Sequence, residues 1–130
     1  MAEHPNVARI QGGYAAFDKG DFAALNDLFA EDLVWHPQGR NQLTGEYRGR
    51  EAVYGFFGKL MEATEGTFHL DLHKVFADDD HAVALVTTTA SRGGRSVNSY
   101  DAHIFHLRDG KVTDFWNGTT DQYAFDEVIG

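Results

Sequence analysis

The hydrophobic period of this chain changes from about 3.6 residues in its first half to 2 in its second half, which limits the folds open to it. In the first half, apolar residues recur every three or four positions, as on one face of a helix; the first series is Val7, Ile10, Tyr14 and Phe17. In the second half, apolar and polar residues alternate, beginning at Phe68. Helices followed by strands predict an α+β fold, in which the helices pack on one face of a sheet.

Turn residues divide these halves into individual elements. Gly20 and Asp21 separate two short helices, because glycine ends a helix and aspartate caps the next one. Pro37 ends the strand that follows, and pairs such as Asp109-Gly110 join the later strands into an antiparallel meander. The predicted elements are helices over residues 7–19, 22–29 and 50–63, strands over residues 33–36, 68–73, 82–90, 96–107 and 112–117, and a helical turn over residues 121–128.

Length and composition predict one soluble domain spanning residues 1–130. The chain has 42% hydrophobic residues, enough for a core, but no apolar run suited to a membrane span or a signal peptide. It contains no cysteine, which excludes disulfides and thiolate chemistry and suits a reducing compartment. A formal net charge of −9 disfavours nucleic acid as a partner. We therefore expect a cytoplasmic protein whose partners include neither nucleic acid nor a membrane.

The sequence carries no motif for a cofactor or a metal. It has no glycine-rich phosphate loop and no nucleotide-binding fingerprint. His69, Asp71 and His73 share a strand, but the two histidines would stand roughly 13 Å apart there, too far to share one ion. We expect no cofactor and no metal, and we interpret these three residues as a stripe that faces solvent or a dimer partner.

Four segments together resemble the nuclear transport factor 2-like superfamily, which includes ketosteroid isomerase and the SnoaL-like polyketide cyclases. They are residues 14–37, with Gly20-Asp21 followed by Leu28-Phe29-Ala30-Glu31-Asp32, and residues 47–52, 108–112 and 115–121. The resemblance covers nearly the whole chain. It implies a cone-shaped fold, in which a curved antiparallel sheet wraps around the N-terminal helices and encloses an apolar pocket. It also implies a homodimer that forms through the convex face of the sheet.

His36 is the first candidate for catalysis. The resemblance to ketosteroid isomerases places His36-Pro37 where those enzymes have an Asp-Pro pair whose aspartate is the general base. An ordinary imidazole, with a pKa of about 6.5, accepts a proton readily at neutral pH. The alternative is that His36 only closes the strand through a hydrogen bond to the loop.

His103 is the second candidate, at a position where the resemblance implies a protonated aspartate that donates to the substrate oxyanion. Alternation along the strand predicts that His103 points inward and His106 outward. We expect His36 and His103 to share one cavity and to be uncharged at neutral pH, because burial and mutual repulsion both lower their pKa values. A buried structural histidine is the alternative interpretation for His103.

Two further positions bear on the isomerase comparison. The oxyanion tyrosine of the isomerases falls on Gly13, and Tyr14 is about 100° further round the helix, which argues against a true steroid isomerase. Asp121 resembles the acid/base aspartate of SnoaL-like cyclases, although it also suits the N-cap of a last helix. Side chains expected to line a hydrophobic ligand pocket, or alternatively to be plain core, are Tyr14, Trp35, Tyr47, Phe56, Met61, Tyr100 and Trp116.

Two classes of function fit this pattern. The first is a cofactor-independent isomerase, cyclase or lyase that uses acid/base chemistry on a hydrophobic carbonyl compound, with His36 moving a proton while His103 or Asp121 polarises oxygen. The second is a non-catalytic module of the same fold that binds a hydrophobic small molecule or serves as an accessory dimer. Epoxide hydrolysis ranks last, because no arginine stands between acids in the expected pocket.

A homodimer would need a flat, weakly polar surface on the convex face of the sheet. The residues predicted to form it are Val86, Thr88, Ala90 and Tyr100.

Overall fold

The computed structural model describes residues 3–130 as four helices and a six-stranded sheet, which confirms the α+β class. The helices are α1 (Pro5–Lys19), α2 (Phe22–Leu28), α3 (Arg50–Ala63) and α4 (Gln122–Ile129). The strands are β1 (Phe29–His36), β2 (Tyr47–Arg48), β3 (His69–Ala77), β4 (His81–Arg92), β5 (Arg95–Arg108) and β6 (Lys111–Thr119). None of the helices within residues 3–130 combines the length and the apolar character needed to cross a membrane.

The sheet has the strand order β2-β1-β6-β5-β4-β3. Strands β3 to β6 form the predicted antiparallel meander, whereas β1 joins its edge parallel to β6 and carries the short β2 on its other side. The register shifts between Leu72 and Lys74 and between His106 and Leu107, and such bulges increase the twist of a strand. The curved sheet therefore wraps around the helices without closing into a barrel.

The junction between α1 and α2 forms as the sequence predicts. Gly20 adopts a left-handed conformation, with φ 68°, and its N–H bonds to the carbonyls of Ala16 and Phe17. Asp21 then caps α2 through a 3.1 Å hydrogen bond from the Ala24 N–H. Because two residues separate the helices, α2 packs against α1 and leads directly into β1, which begins at Phe29 rather than at Leu33.

Alternation along the strands gives the sheet an inner face toward the helices and an outer face away from them. Contrary to expectation, Val86, Thr88 and Ala90 are buried on the inner face, whereas Tyr100 is 49% exposed on the outer face. Residues that pair across neighbouring strands share a face, and Tyr100 pairs with Thr87. The four residues predicted for a dimer surface therefore cannot lie together on one face.

Candidate functional site

A cavity of about 120 Å³ lies between the helices and the inner face of the sheet. Aromatic side chains supply much of its wall, among them Phe17, Trp35, Phe57, Phe105 and Phe115. Trp35 and Phe115 stack with their ring centroids 3.9 Å apart, which fixes one side of the wall. For comparison, an apolar cavity of roughly 150 Å³ holds one benzene molecule. The enclosed space therefore suits a ligand portion about the size of one ring.

Polar side chains gather on one part of this wall, where β4, β5 and β6 lie side by side. They are Thr88, Asp101, His103 and Asn117, each of which lines the cavity. Asp101 and His103 are two residues apart on β5 and so point the same way, and His103 pairs in register with Asn117 on β6. The cavity thus has a polar floor next to the aromatic part of its wall.

Tyr14 and His103 form the central contact of this floor. The Tyr14 hydroxyl lies 2.5 Å from Nδ1 of His103, and the two rings are nearly parallel, 12° apart. Gly13, where the isomerase comparison expects a tyrosine, instead packs against α2, since a Cβ there would lie 2.6 Å from Leu28 Cδ2. Tyr14 supplies the phenol from the next position along α1.

Burial keeps both partners of this contact uncharged at neutral pH. It lowers the pKa of His103 to about 4, and the charge of Asp101 opposes this shift only in part. Burial, and secondarily the charge of Asp101, raises the pKa of Tyr14. A phenol is a stronger hydrogen-bond donor than neutral imidazole, so we assign the Tyr14 proton to the contact. His103 then carries its own proton on Nε2, which has no protein partner among residues 3–130.

Asp101 is the residue that sequence analysis missed. It is 2% exposed and is the one carboxyl group among the described residues that line the cavity. Its two oxygens accept hydrogen bonds from Thr88 Oγ1 at 2.8 Å and from Ser99 Oγ at 2.9 Å. The signal that could have found it was its spacing, since a residue two positions before an inward-facing His103 must also face inward.

The mouth of the cavity is covered by α4 and by the loop that follows β1. Gln122 and Phe125 from α4, and Gln38 and Asn41 from the loop, line this end. Asp126 of α4 joins the two segments by accepting hydrogen bonds from the Arg40 N–H at 3.0 Å and from Asn41 Nδ2 at 2.7 Å. It accepts a third hydrogen bond within α4, from Gln122 Nε2 at 3.0 Å. Burial raises the pKa of Asp126, but these hydrogen bonds outweigh it and hold the pKa below its ordinary value.

His36 lies on the outer face of the sheet and does not reach the cavity, contrary to expectation. Its neighbour Trp35 points inward, and alternation along β1 therefore directs His36 outward. The imidazole stacks on Trp116 with ring centroids 4.7 Å apart, and its Nε2 lies 3.1 Å from Oδ1 of Asp114. Its Nδ1 lies 3.5 Å from Oε1 of Glu46. His36 and His103 thus occupy opposite faces and cannot act on one ligand.

The other predicted site residues divide between the cavity and the rest of the molecule. Tyr14, Trp35 and Phe56 line the cavity. Asp121 is exposed and caps α4 by accepting a 3.1 Å hydrogen bond from the Ala124 N–H, which is the alternative role considered for it. The remaining four lie outside the cavity: Tyr47 and Tyr100, Met61 and Trp116.

Each of these four has a local reason for its position. Tyr47 packs on Phe56 and donates to the Leu43 carbonyl, which turns its ring away from the cavity. Met61 is 37% exposed and lines a separate depression between α1 and α3. Tyr100 and Trp116 occupy outward positions of β5 and β6, where alternation excludes them from the inner face.

The fold and the site together define a small-molecule pocket protein with a cone-shaped α+β architecture. The family described as the SnoaL-like domain matches residues 10–115 of this chain. The chain belongs to this family, and the predicted resemblance to the nuclear transport factor 2-like superfamily is confirmed.

Solved structures agree with this assignment. Bal32a, from a soil-derived mobile gene cassette, is 36% identical over 96% of each chain, with a TM-score of 0.89. A nuclear transport factor 2-like protein from Burkholderia xenovorans is 21% identical, with a TM-score of 0.83 over 100% of this chain and 99% of that one. TerC, co-crystallised with polyporic acid, is 24% identical, with a TM-score of 0.83 over 97% of this chain and 98% of that one.

Proposed function

We propose that this protein is a cofactor-independent isomerase, cyclase or lyase that moves a proton on a hydrophobic carbonyl compound. The observation that carries the proposal is the arrangement of the cavity floor. An uncharged His103, held by Tyr14, lies two residues along β5 from the buried carboxyl group of Asp101. A hydrogen-bond donor and a proton acceptor therefore face the same apolar space, as enolisation requires. Because the chain lacks cysteine, we propose the reducing cytoplasm as its location.

In this mechanism His103 polarises the carbonyl oxygen and Asp101 acts as the base. The Nε2–H of His103 donates to the oxygen, and this hydrogen bond strengthens as negative charge develops there. Asp101 takes a proton from the carbon next to the carbonyl group and returns it to a second carbon. Tyr14 acts as a positioning residue, because its hydrogen bond to Nδ1 keeps the proton of His103 on Nε2.

Proton exchange in heavy water tests the reaction without knowledge of the natural substrate. Propiophenone, an aryl ketone with a single ring, is incubated with the protein in D₂O, and loss of its α-proton signal is followed by NMR. We expect the protein to accelerate exchange over buffer and Asp101→Asn to abolish the acceleration. Asp71→Asn, at an exposed position of β3, is the matched control and should exchange as the wild type does. Binding of the ketone without any accelerated exchange would contradict the proposal.

A non-catalytic ligand-binding module is the second candidate, and one contact favours it. Both oxygens of Asp101 already accept hydroxyl hydrogen bonds, from Thr88 and Ser99, so neither oxygen is without a protein partner as it faces a ligand carbon. TerC, a structural relative, was co-crystallised with polyporic acid, so a protein of this fold accommodates an organic ligand. The same exchange experiment separates the candidates, since a binding module protects or shifts the ketone signals without exchanging them.

We also propose that two copies of the chain pair through the outer face of the sheet. Phe76, Val83, Ile104 and Trp116 pair in register across four neighbouring strands and form an outer stripe. Phe76 and Ile104 are 54% and 39% exposed. A contiguous patch of exposed apolar side chains is typical of a surface that binds another protein. Sedimentation should show a dimer for the wild type and a monomer for Ile104→Glu. Tyr123→Glu, at an 86% exposed position of α4, should remain dimeric.

A further inference from the structure

The side-chain oxygen of Asn117 is buried and has no hydrogen-bond partner among residues 3–130. Its amide nitrogen, Nδ2, faces Oδ2 of Asp101 at 3.5 Å. This contact sets the orientation of the amide, because the reverse orientation would bring two acceptor oxygens together. Asn117 therefore presents an acceptor that nothing in the described protein satisfies, at a residue that lines the cavity.

This unpaired acceptor lies beside an unpaired donor. His103 and Asn117 are directly paired across β5 and β6 and face the same side of the sheet. His103 offers Nε2–H, since its Nδ1 is occupied by Tyr14. The floor thus presents one donor and one acceptor on directly paired residues of neighbouring strands, where two adjacent polar groups of a single small molecule would pair with both.

Building on the proposed acid/base function, we propose that the pocket is selective for α-hydroxy carbonyl compounds that carry an apolar ring. The carbonyl oxygen accepts from His103 Nε2–H, and the neighbouring hydroxyl donates to Asn117 Oδ1. The ring occupies the aromatic part of the cavity, whose volume of about 120 Å³ suits a single ring. A simple ketone leaves Asn117 Oδ1 unpaired, and an unmade hydrogen bond at a buried acceptor weakens binding.

A matched pair of ligands tests this selectivity. 2-Hydroxy-1-phenylethanone and propiophenone have the same size and differ by a hydroxyl in place of a methyl group. Their affinities are measured by titration calorimetry for the wild type and for Asn117→Leu, which keeps the branched shape of the side chain and removes the acceptor. We expect the preference of the wild type for the hydroxy ketone to fall by about tenfold in Asn117→Leu, the value of one hydrogen bond.

Control variants separate this selectivity from general damage. Asn98→Leu, at an exposed position of β5, should keep the wild-type preference. Asn117→Ala adds no bulk and should lose the preference as Asn117→Leu does, which covers the case in which leucine does not fit. A preference that is the same in all four proteins would overturn the inference and would indicate that a water satisfies Asn117.

The proposed function can fail or stand independently of this outcome. If the wild type exchanges the α-protons of propiophenone but shows no dependence on Asn117, the acid/base function stands and the selectivity is wrong. If the wild type binds neither ketone, both proposals are overturned.

Discussion

The hydroxyl of Tyr14 on α1 and Nδ1 of His103 on β5 lie 2.5 Å apart, although 89 residues separate them in the sequence. This hydrogen bond links the helical layer to the sheet at the floor of the cavity. It also decides which nitrogen of His103 carries the proton, so that a structural contact sets the chemistry of the site.

Removing the Tyr14 hydroxyl should affect the site more than the fold. In Tyr14→Phe the ring remains, and the loss of one hydrogen bond should lower the free energy of unfolding by about 1 kcal/mol. The proton of His103 becomes free to move to Nδ1, so accelerated exchange of propiophenone should fall by roughly tenfold or more. Urea denaturation and NMR exchange measure the two effects. Tyr123→Phe, 86% exposed, should change neither.

His103 should make the protein less stable in mild acid. Its pKa is about 4 in the folded state and 6.5 in the unfolded state, so between these values only the unfolded chain binds the proton. The free energy of unfolding should therefore decrease as the pH falls from 6.5 to 4, by at most roughly 1.4 kcal/mol for each pH unit.

Replacing His103 should reduce this pH dependence. Denaturation of His103→Gln across the same window should show a shallower loss of stability than the wild type. His69→Gln, at an exposed position of β3, should follow the wild-type curve. A His103→Gln curve parallel to that of the wild type would mean that His103 is not buried in its neutral form.

Asp126 should control access to the cavity, because it accepts two hydrogen bonds from the loop after β1, from the Arg40 N–H and Asn41 Nδ2, and a third within α4 from Gln122 Nε2. Asp126→Ala removes all three and should speed amide hydrogen exchange in α4, while ligand association and dissociation both become faster. The loss of stability should be about 1–3 kcal/mol, as for a charged acceptor with several partners. Hydrogen exchange that is unchanged relative to Glu127→Ala, an exposed neighbour, would show that other contacts hold α4.

His36 should not be needed for ligand binding or proton exchange. In His36→Ala the stacking on Trp116 and the contact with Asp114 are lost, both on the outer face. We expect unchanged exchange of propiophenone and unchanged affinity, with any effect limited to stability or to pairing of subunits. His103→Gln, measured in the same assays, shows the effect of losing a histidine on the inner face and so serves as the comparison for His36 on the outer face. A loss of exchange in His36→Ala equal to that in His103→Gln would contradict the assignment of the site.

The fold was predictable because periodicity and turn residues act locally. Gly20, Asp21 and the Asp109-Gly110 turn fix the ends of helices and strands within a few residues. The strand β2 was missed, because Tyr47 and Arg48 are too few to show a period, and their extended conformation depends on pairing with β1.

The site was less predictable because it depends on which face each residue occupies. Alternation along the strand predicted that His103 points inward, and the same rule predicts that Asp101, two residues earlier, points inward too. His36 was assigned by resemblance alone, and its neighbour Trp35 takes the inward position instead. A shift of one residue along a strand moves a side chain to the opposite face. A residue that aligns with a catalytic residue of another family member can therefore lie outside the site.

The alternation of β5 divides its side chains between two surfaces. Ser99, Asp101 and His103 point to the inner face, where Asp101 and His103 line the cavity, whereas Asn98, Tyr100 and Ile104 point outward. Substitutions at every second position of this strand can therefore change which ligand binds, while the residues between them keep the outer surface unchanged. A laboratory library could exploit the same division by randomising positions 99, 101, 103 and 117 together. Such variants would change chemical preference on a scaffold whose outer contacts remain those of the parent.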